Sequence, residues 1–325
     1  GPSCASWITM GTKLLLLATL GLYGCGLPVV EDSGPTRSPT AVIPRAAEAK
    51  LEGKVLLSND KGLWVWNGGS ARQLTKEGSL QQPAWSPDGK KIAYVRLEGD
   101  YSDIWVMGTS GDSPVNLTRF GRSGADTWAF SPRWSPDGTQ LAYVSDQNTY
   151  DLALWTMKSD GAGRKQITLM NDYLGGIDGP TWHPKGDRLT FTAYRTGKAQ
   201  VWTMTLANSR WQQATDVAGG AYDPQWSPSG DALAFAAWEG GKSDVWAVPR
   251  PDGVPERVSR DGLSRSPAWS PDGKMLAFLS GQGGRFDLWT ATLEKTPEGA
   301  FRFGAPKRVT QGLGADPAGG LSWTR

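Results

Sequence analysis

Trp85-Ser86-Pro87-Asp88-Gly89, followed after one residue by Lys91-Ile92-Ala93-Tyr94-Val95, is the stretch on which the reading of this chain turns. Proline fixes φ at the second position of a tight turn and glycine accepts positive φ near its end, while the apolar run behind it is too short for a helix. One such hairpin proves little. The same stretch returns at Trp134–Gly138 and Trp269–Gly273, with variants at Trp182-His183-Pro184-Lys185-Gly186 and Trp226-Ser227-Pro228-Ser229-Gly230. The tryptophans are spaced by 49, 48, 44 and 43 residues, and Trp323 lies 54 residues beyond Trp269. A period of this length is that of propeller blades.

Working outward from the turn, a second tryptophan series (Trp64, Trp105, Trp155, Trp202, Trp246, Trp289) marks the next strand of each unit. A short segment ending in a hydroxyl residue closes it, at Thr75, Thr118, Thr168, Thr215, Ser259 and Thr310. Each unit therefore holds four antiparallel strands, and the expected fold is an all-β, six-bladed β-propeller. Its first strand, Lys54-Val55-Leu56-Leu57, is of the second type in a unit, whereas Trp323 belongs to the first type. Residues 320–324 should complete the blade begun by residues 54–76 and so close the ring.

Composition agrees. The 325 residues include 42 Gly, 22 Pro and 17 Trp, a profile of short strands and tight turns rather than helices. A formal charge of +2 with no long basic run excludes a nucleic-acid groove. Both cysteines, Cys4 and Cys25, precede the repeats, so the propeller must hold without a disulfide or a thiolate metal site.

Residues 1–25 read as an export region: Met10 and Lys13 precede an apolar stretch, Leu14 to Tyr23, too short to span a bilayer. Leu22-Tyr23-Gly24-Cys25 resembles a bacterial lipobox, which implies lipidation at Cys25 and a mature start there. Residues 26–50, rich in Pro, Ser and Thr, read as a disordered tether, and residues 51–325 as the propeller. The expected location is the bacterial cell envelope, membrane-anchored through lipid, with plain periplasmic or secreted export as the alternative.

With the repeats assembled, the unit from Pro83 to Thr118, including Asp103-Ile104-Trp105, resembles those of the TolB-like β-propeller family, whose units are WD40-like Pro-Asp repeats. The resemblance extends over about residues 54–324. It implies a propeller standing without the α/β domain that TolB itself carries in the Tol-Pal envelope system.

No catalytic residue is assigned. His183, the single histidine, replaces the serine of an ordinary turn, and no Gly-x-Ser-x-Gly elbow or phosphate loop is present. Asp88, Asp137 and Asp272 occupy equivalent turns in different blades, which separates them around the ring. No cofactor is expected, and a hard cation such as Ca²⁺ would find only carboxylates and carbonyls, with no motif that indicates it.

Antiparallel geometry places the Ser-Pro-Asp-Gly turns on one face, and the inter-blade connections with the loops between second and third strands on the other. The second face carries the irregular residues: Tyr101, Arg122, Asp126, Trp128, Tyr150, Tyr173, Arg195, Tyr222, Asp223 and Trp238. Tyr, Trp and Arg suit recognition at little ordering cost, and the alternative role for a single member is to cover a seam between blades. The function expected is non-catalytic docking of a protein or peptide partner of the cell envelope on this loop face. The alternatives are carbohydrate or small-ligand binding at the channel mouth, and a hydrolase or lyase using channel carboxylates.

Overall fold

Strands β1 (Lys54–Asn59), β2 (Gly62–Asn67) and β3 (Ser70–Gln73) form the outer part of the first blade, and β25 (Ser322–Thr324) supplies its innermost strand. The computed structural model describes residues 51–122, 126–148, 151–169, 176–250, 253–298 and 300–325. The export region, Cys25 and the tether lie outside these residues, as do Tyr150 and Tyr173.

Blade 2 contains β4 (Leu80–Trp85), β5 (Lys91–Leu97), β6 (Ser102–Gly108) and β7 (Val115–Asn116). Blade 3 contains β8 (Ala129–Trp134), β9 (Gln140–Ser145), β10 (Ala153–Lys158) and β11 (Lys165–Gln166). Blade 4 contains β12 (Ile177–Trp182), β13 (Arg188–Ala193), β14 (Gln200–Thr205) and β15 (Arg210–Gln213). Blade 5 contains β16 (Ala221–Trp226), β17 (Ala232–Glu239), β18 (Lys242–Pro249) and β19 (Glu256–Arg257). Blade 6 contains β20 (Ser264–Trp269), β21 (Met275–Ser280), β22 (Asp287–Lys295), β23 (Phe301–Phe303) and β24 (Lys307–Arg308). The six-bladed reading and the ring closure hold, with Val55 opposite Trp323 and Lys54 opposite Thr324.

Blade 6 departs from the repeat. Its third strand β22 continues beyond its pairing with β24 and turns back as β23, with Leu293 opposite Phe303. Lys295 Nζ on this extension donates to Asp231 Oδ2 of blade 5 at 2.7 Å.

The second strands are apolar at nearly every position because a blade is covered on both faces. In β1, Val55 and Leu57 pack toward blade 6 with Ala277, Leu279 and Val309, while Leu56 between them packs toward blade 2 with Leu80, Ile92 and Met107. The core is therefore a set of seams between neighbouring blades. Trp66, Tyr143, Phe191 and Phe278 are its largest fully buried side chains, each worth about 1.5–3 kcal/mol of burial.

The hydroxyl residues that close the units have one shared task. Thr75, Thr118, Thr168, Thr215, Ser259 and Thr310 each accept from a third-strand backbone N–H at 2.9–3.0 Å. In three blades an aspartate binds that hydroxyl too: Asp103 with Thr118, Asp244 with Ser259 and Asp287 with Thr310. These buried carboxylates tie a third strand to the connection that follows it.

Candidate functional site

Every innermost strand bends at the third residue before its tryptophan. Gln82, Ser131, Gly179, Asp223, Ser266 and Gly320 all have φ between 52° and 68°. In blades 2 to 6 the pairing register slips at this point, which is a β-bulge, and a proline without an N–H to offer the ladder follows it. The bulge re-aims the side chains near it toward the axis, close to the face where the inter-blade connections enter.

The result is a circuit of polar contacts around the channel. Gln82 Nε2 donates to Ala318 O at 3.5 Å and its Oε1 accepts from Ser131 N at 2.7 Å. Ser131 Oγ donates to Asp178 Oδ1 at 3.0 Å, an oxygen that also accepts from Gly179 N at 2.6 Å. On the other side, Asp223 Oδ2 accepts from Arg265 Nε at 3.2 Å and Ser266 N at 3.3 Å, and Ser266 Oγ donates to Pro317 O at 2.6 Å. Among the described residues the circuit breaks between Asp178 and Asp223, where two carboxyl groups approach.

Electrostatics reflects this confinement. Burial, and secondly the Asp223 charge, push the Asp178 carboxyl above its ordinary range. Burial also raises Asp316, against the pull of the Ala318 N–H and of Arg265. For Arg265 burial acts downward, but Asp223 outweighs it and the guanidinium holds its proton more firmly than usual. Arg133 has the opposite balance: burial outweighs Asp178 and Asp223 and lowers it. Asp178 and Asp223 thus act on both Arg133 and Arg265, and Arg265 also on Asp316.

The residues expected on the loop face divide. Asp223 does not lie in an inter-blade loop but in β16, where it lines the channel; Tyr222 beside it is half-buried, its hydroxyl close to Gly220. Trp128 is 7% exposed and stacks on Phe130 with ring centroids 5.9 Å apart, so it covers a seam. Arg195 is exposed, with its guanidinium over the rings of Trp202 and Trp211 at 5.6 and 5.0 Å. Tyr101 is half-buried and covers Gly121, where a Cβ would come 2.4 Å from the ring. Trp238 is half-buried in β17 and pairs with Ser243, Asp126 is exposed, and Arg122 ends the short 3-10 turn Phe120–Arg122. Tyr222 and Asp223 are neighbours along β16.

The opposite face is built from turns. Ser86 Oγ donates to Asp88 Oδ1 at 2.6 Å and accepts from Lys91 N at 2.9 Å, and Ser135 with Asp137 and Ser270 with Asp272 repeat the arrangement. Donation by the serine hydroxyl holds all three carboxyls below their ordinary range. His183 Nδ1 accepts from Lys185 N at 3.3 Å, and burial lowers the imidazole. Among the described residues, no group of three or more His, Cys, Asp or Glu could hold a metal ion.

Asp178, Arg133, Arg265 and Asp316 were not anticipated from sequence. For Asp178 and Arg265 a signal stands in the repeat itself: aligned on the tryptophans, each lies two residues before the proline, a charged residue where a buried strand should be apolar, whereas Arg133 follows its proline and Asp316 lies outside the strands.

A family model described as the TolB beta propeller domain matches residues 150–305. Over these residues the propeller is similar to the TolB family. A solved TolB from Acinetobacter baumannii superposes on it with a TM-score of 0.68 at 21% identity, covering 85% of this chain and 68% of that one. A protein provisionally assigned as TolB from Agrobacterium tumefaciens gives 0.56 at 20% identity, covering 85% of this chain and 100% of that one. An uncharacterized protein of Agrobacterium fabrum is 30% identical over 198 residues, which is 58% of this chain and 64% of the relative. The match therefore spans less than two thirds of that relative's length. The likeness to these solved structures lies in the blade architecture.

Proposed function

We propose that the protein is a non-catalytic docking module of the bacterial cell envelope that receives a protein or peptide partner at the channel mouth on the loop face. Lipidation at Cys25 and the tether over residues 26–50 would set its reach from the membrane. The observation that carries the reading is the bulge shared by the innermost strands. Beside it, polar and charged groups of several blades are hydrogen-bonded to one another around the channel. A rigid, polar, pre-formed mouth suits recognition at low ordering cost.

The test is capture from detergent-solubilised envelope by the full-length chain, beside an Asp126→Lys, Arg195→Glu variant of the loop face and a Lys90→Glu, Lys185→Glu, Lys274→Glu variant of the turn face. Partner capture lost with the first and kept with the second is the expected result. The reverse pattern, or capture indifferent to both, sinks the reading.

A hydrolase or lyase is the second reading, and the approach of Asp178 to Asp223 favours it, since a carboxyl that burial pushes up beside a second carboxyl group suits acid–base work. Asp223 is nevertheless committed to Arg265 and Ser266 N. Turnover of acidic or neutral oligosaccharides that vanishes in Asp178→Asn would establish this alternative in place of the first.

A further inference from the structure

The two channel arginines are treated differently. Arg265 is met by Asp223, which stands at the bulge position of blade 5. Arg133 donates from one Nη atom to the carbonyl of its own neighbour Pro132 at 2.9 Å, and among the described residues it forms no ion pair. Its guanidinium reaches from blade 3 to blade 1, where its other Nη atom lies 3.4 Å from the place a Cβ on Gly320 would take. Gly320 occupies in blade 1 the left-handed position, three residues before the tryptophan, that Asp223 occupies in blade 5. Arg133 thus faces a glycine where Arg265 faces an acid, and a Cβ on that glycine would already stand in contact with its guanidinium.

We propose that Arg133 anchors a carboxylate-binding subsite in the axial channel, filled from the loop face either by an acidic side chain of a docked peptide or by a small free carboxylic acid. Guanidinium offers five donors in a planar fork that matches a carboxylate, and Arg133 uses one of them within the protein. A half-buried cation with unused donors gains most from an acceptor of opposite charge, because the surrounding wall weakens competition from water. Burial favours the neutral form of Asp178, which softens its repulsion of an incoming anion. The subsite rests on the docking reading only for the source of the carboxylate, not for its chemistry.

Calorimetry on the full-length chain tests this with an end-capped Gly-Gly-Asp-Gly-Gly peptide, its Asn counterpart and succinate. Charge-assisted bonding predicts roughly tenfold tighter binding of the Asp peptide than of the Asn peptide if the source is a side chain, or binding of succinate alone if it is a free acid. Arg133→Gln abolishes either preference. Gly320→Asp, whose backbone conformation Asp223 already adopts in blade 5, abolishes it while Arg133 remains, by occupying the site from within. Equal binding of the two peptides with no binding of succinate overturns the proposal. So does a preference that survives in a folded Arg133→Gln protein. A partner captured equally well by Arg133→Gln would leave docking intact and remove this subsite, whereas succinate binding without any capture would do the opposite.

Discussion

Asp223 of blade 5 and Arg265 of blade 6 join their blades across the channel wall, with Nε donating to Oδ2 at 3.2 Å and each side chain 24% exposed. Removing one partner of such a pair leaves the other charged and poorly solvated. Asp223→Asn should cost about 2 kcal/mol, below the range for a fully buried pair because water still reaches both groups. Asp223→Ala should cost about 1 kcal/mol more, since Asp and Asn tolerate the left-handed backbone and Ala does not. Urea unfolding measures both, and equal stability of the two variants would refute the backbone part.

The hydroxyl that closes each unit offers an internal comparison. In blade 2, Thr118 Oγ1 accepts from Ile104 N and donates to Asp103 Oδ1 at 2.5 Å, whereas blade 3 carries Ala153 in the place of Asp103. Thr118→Val therefore strips a donor from a buried carboxylate and an acceptor from a backbone N–H, while Thr168→Val does only the second. The expected costs are about 2–3 and about 1 kcal/mol. Matching losses in thermal unfolding would mean that Asp103 is satisfied by Asn116 and Phe120 alone.

The blades were legible because their signal is periodic and redundant: Trp85, its turn and Tyr94 recur with the same phase, and one imperfect copy does not disturb the count. The channel was not, because a bulge inserts a residue and breaks the alternation by which a strand's faces are read. Counting by twos cannot say that Asp178 and Arg265, one residue before the bend, reach the axis together with Asp223 at the bend. Pro83, Pro132, Pro180, Pro224 and Pro267 were the available clue, since proline in a strand calls for an edge or a bulge. Trp128 misled in the other direction, because a loop position does not tell whether an aromatic ring covers a seam or faces a partner.

Acid should loosen the contact between the blade 6 extension and blade 5. Burial alone would raise Asp231, but Lys295, Ser229 and Ser227 outweigh it and hold the carboxyl at about 2. A depressed folded pKa contributes stability that is complete above about pH 5 and is lost as pH falls through about 4 toward 2. Asp231 and Lys295 are 45% and 52% exposed, so solvent screening keeps the contribution below about 1 kcal/mol. Wild type should exceed Asp231→Asn in stability by this amount at pH 6, with the curves merging near pH 2. A difference that persists unchanged at pH 2 would rule out ionisation as its source.

Asp178 carries the opposite sign. Its carboxyl is raised above the unfolded value, by burial first and by Asp223 second, so its ionisation costs the folded state stability. That cost is absent below the unfolded pKa, grows as pH rises toward the folded value, and is complete above it. Asn at this position keeps an oxygen to accept from Ser131 Oγ and Gly179 N, and it removes the charge that faces Asp223. Asp178→Asn should therefore be more stable than wild type at pH 7 and equal to it near pH 3, as read by urea unfolding at both values. If Asp178→Asn is instead less stable at pH 7, the carboxylate serves the resting channel by holding Arg133 and Arg265 in place, and its role is structural.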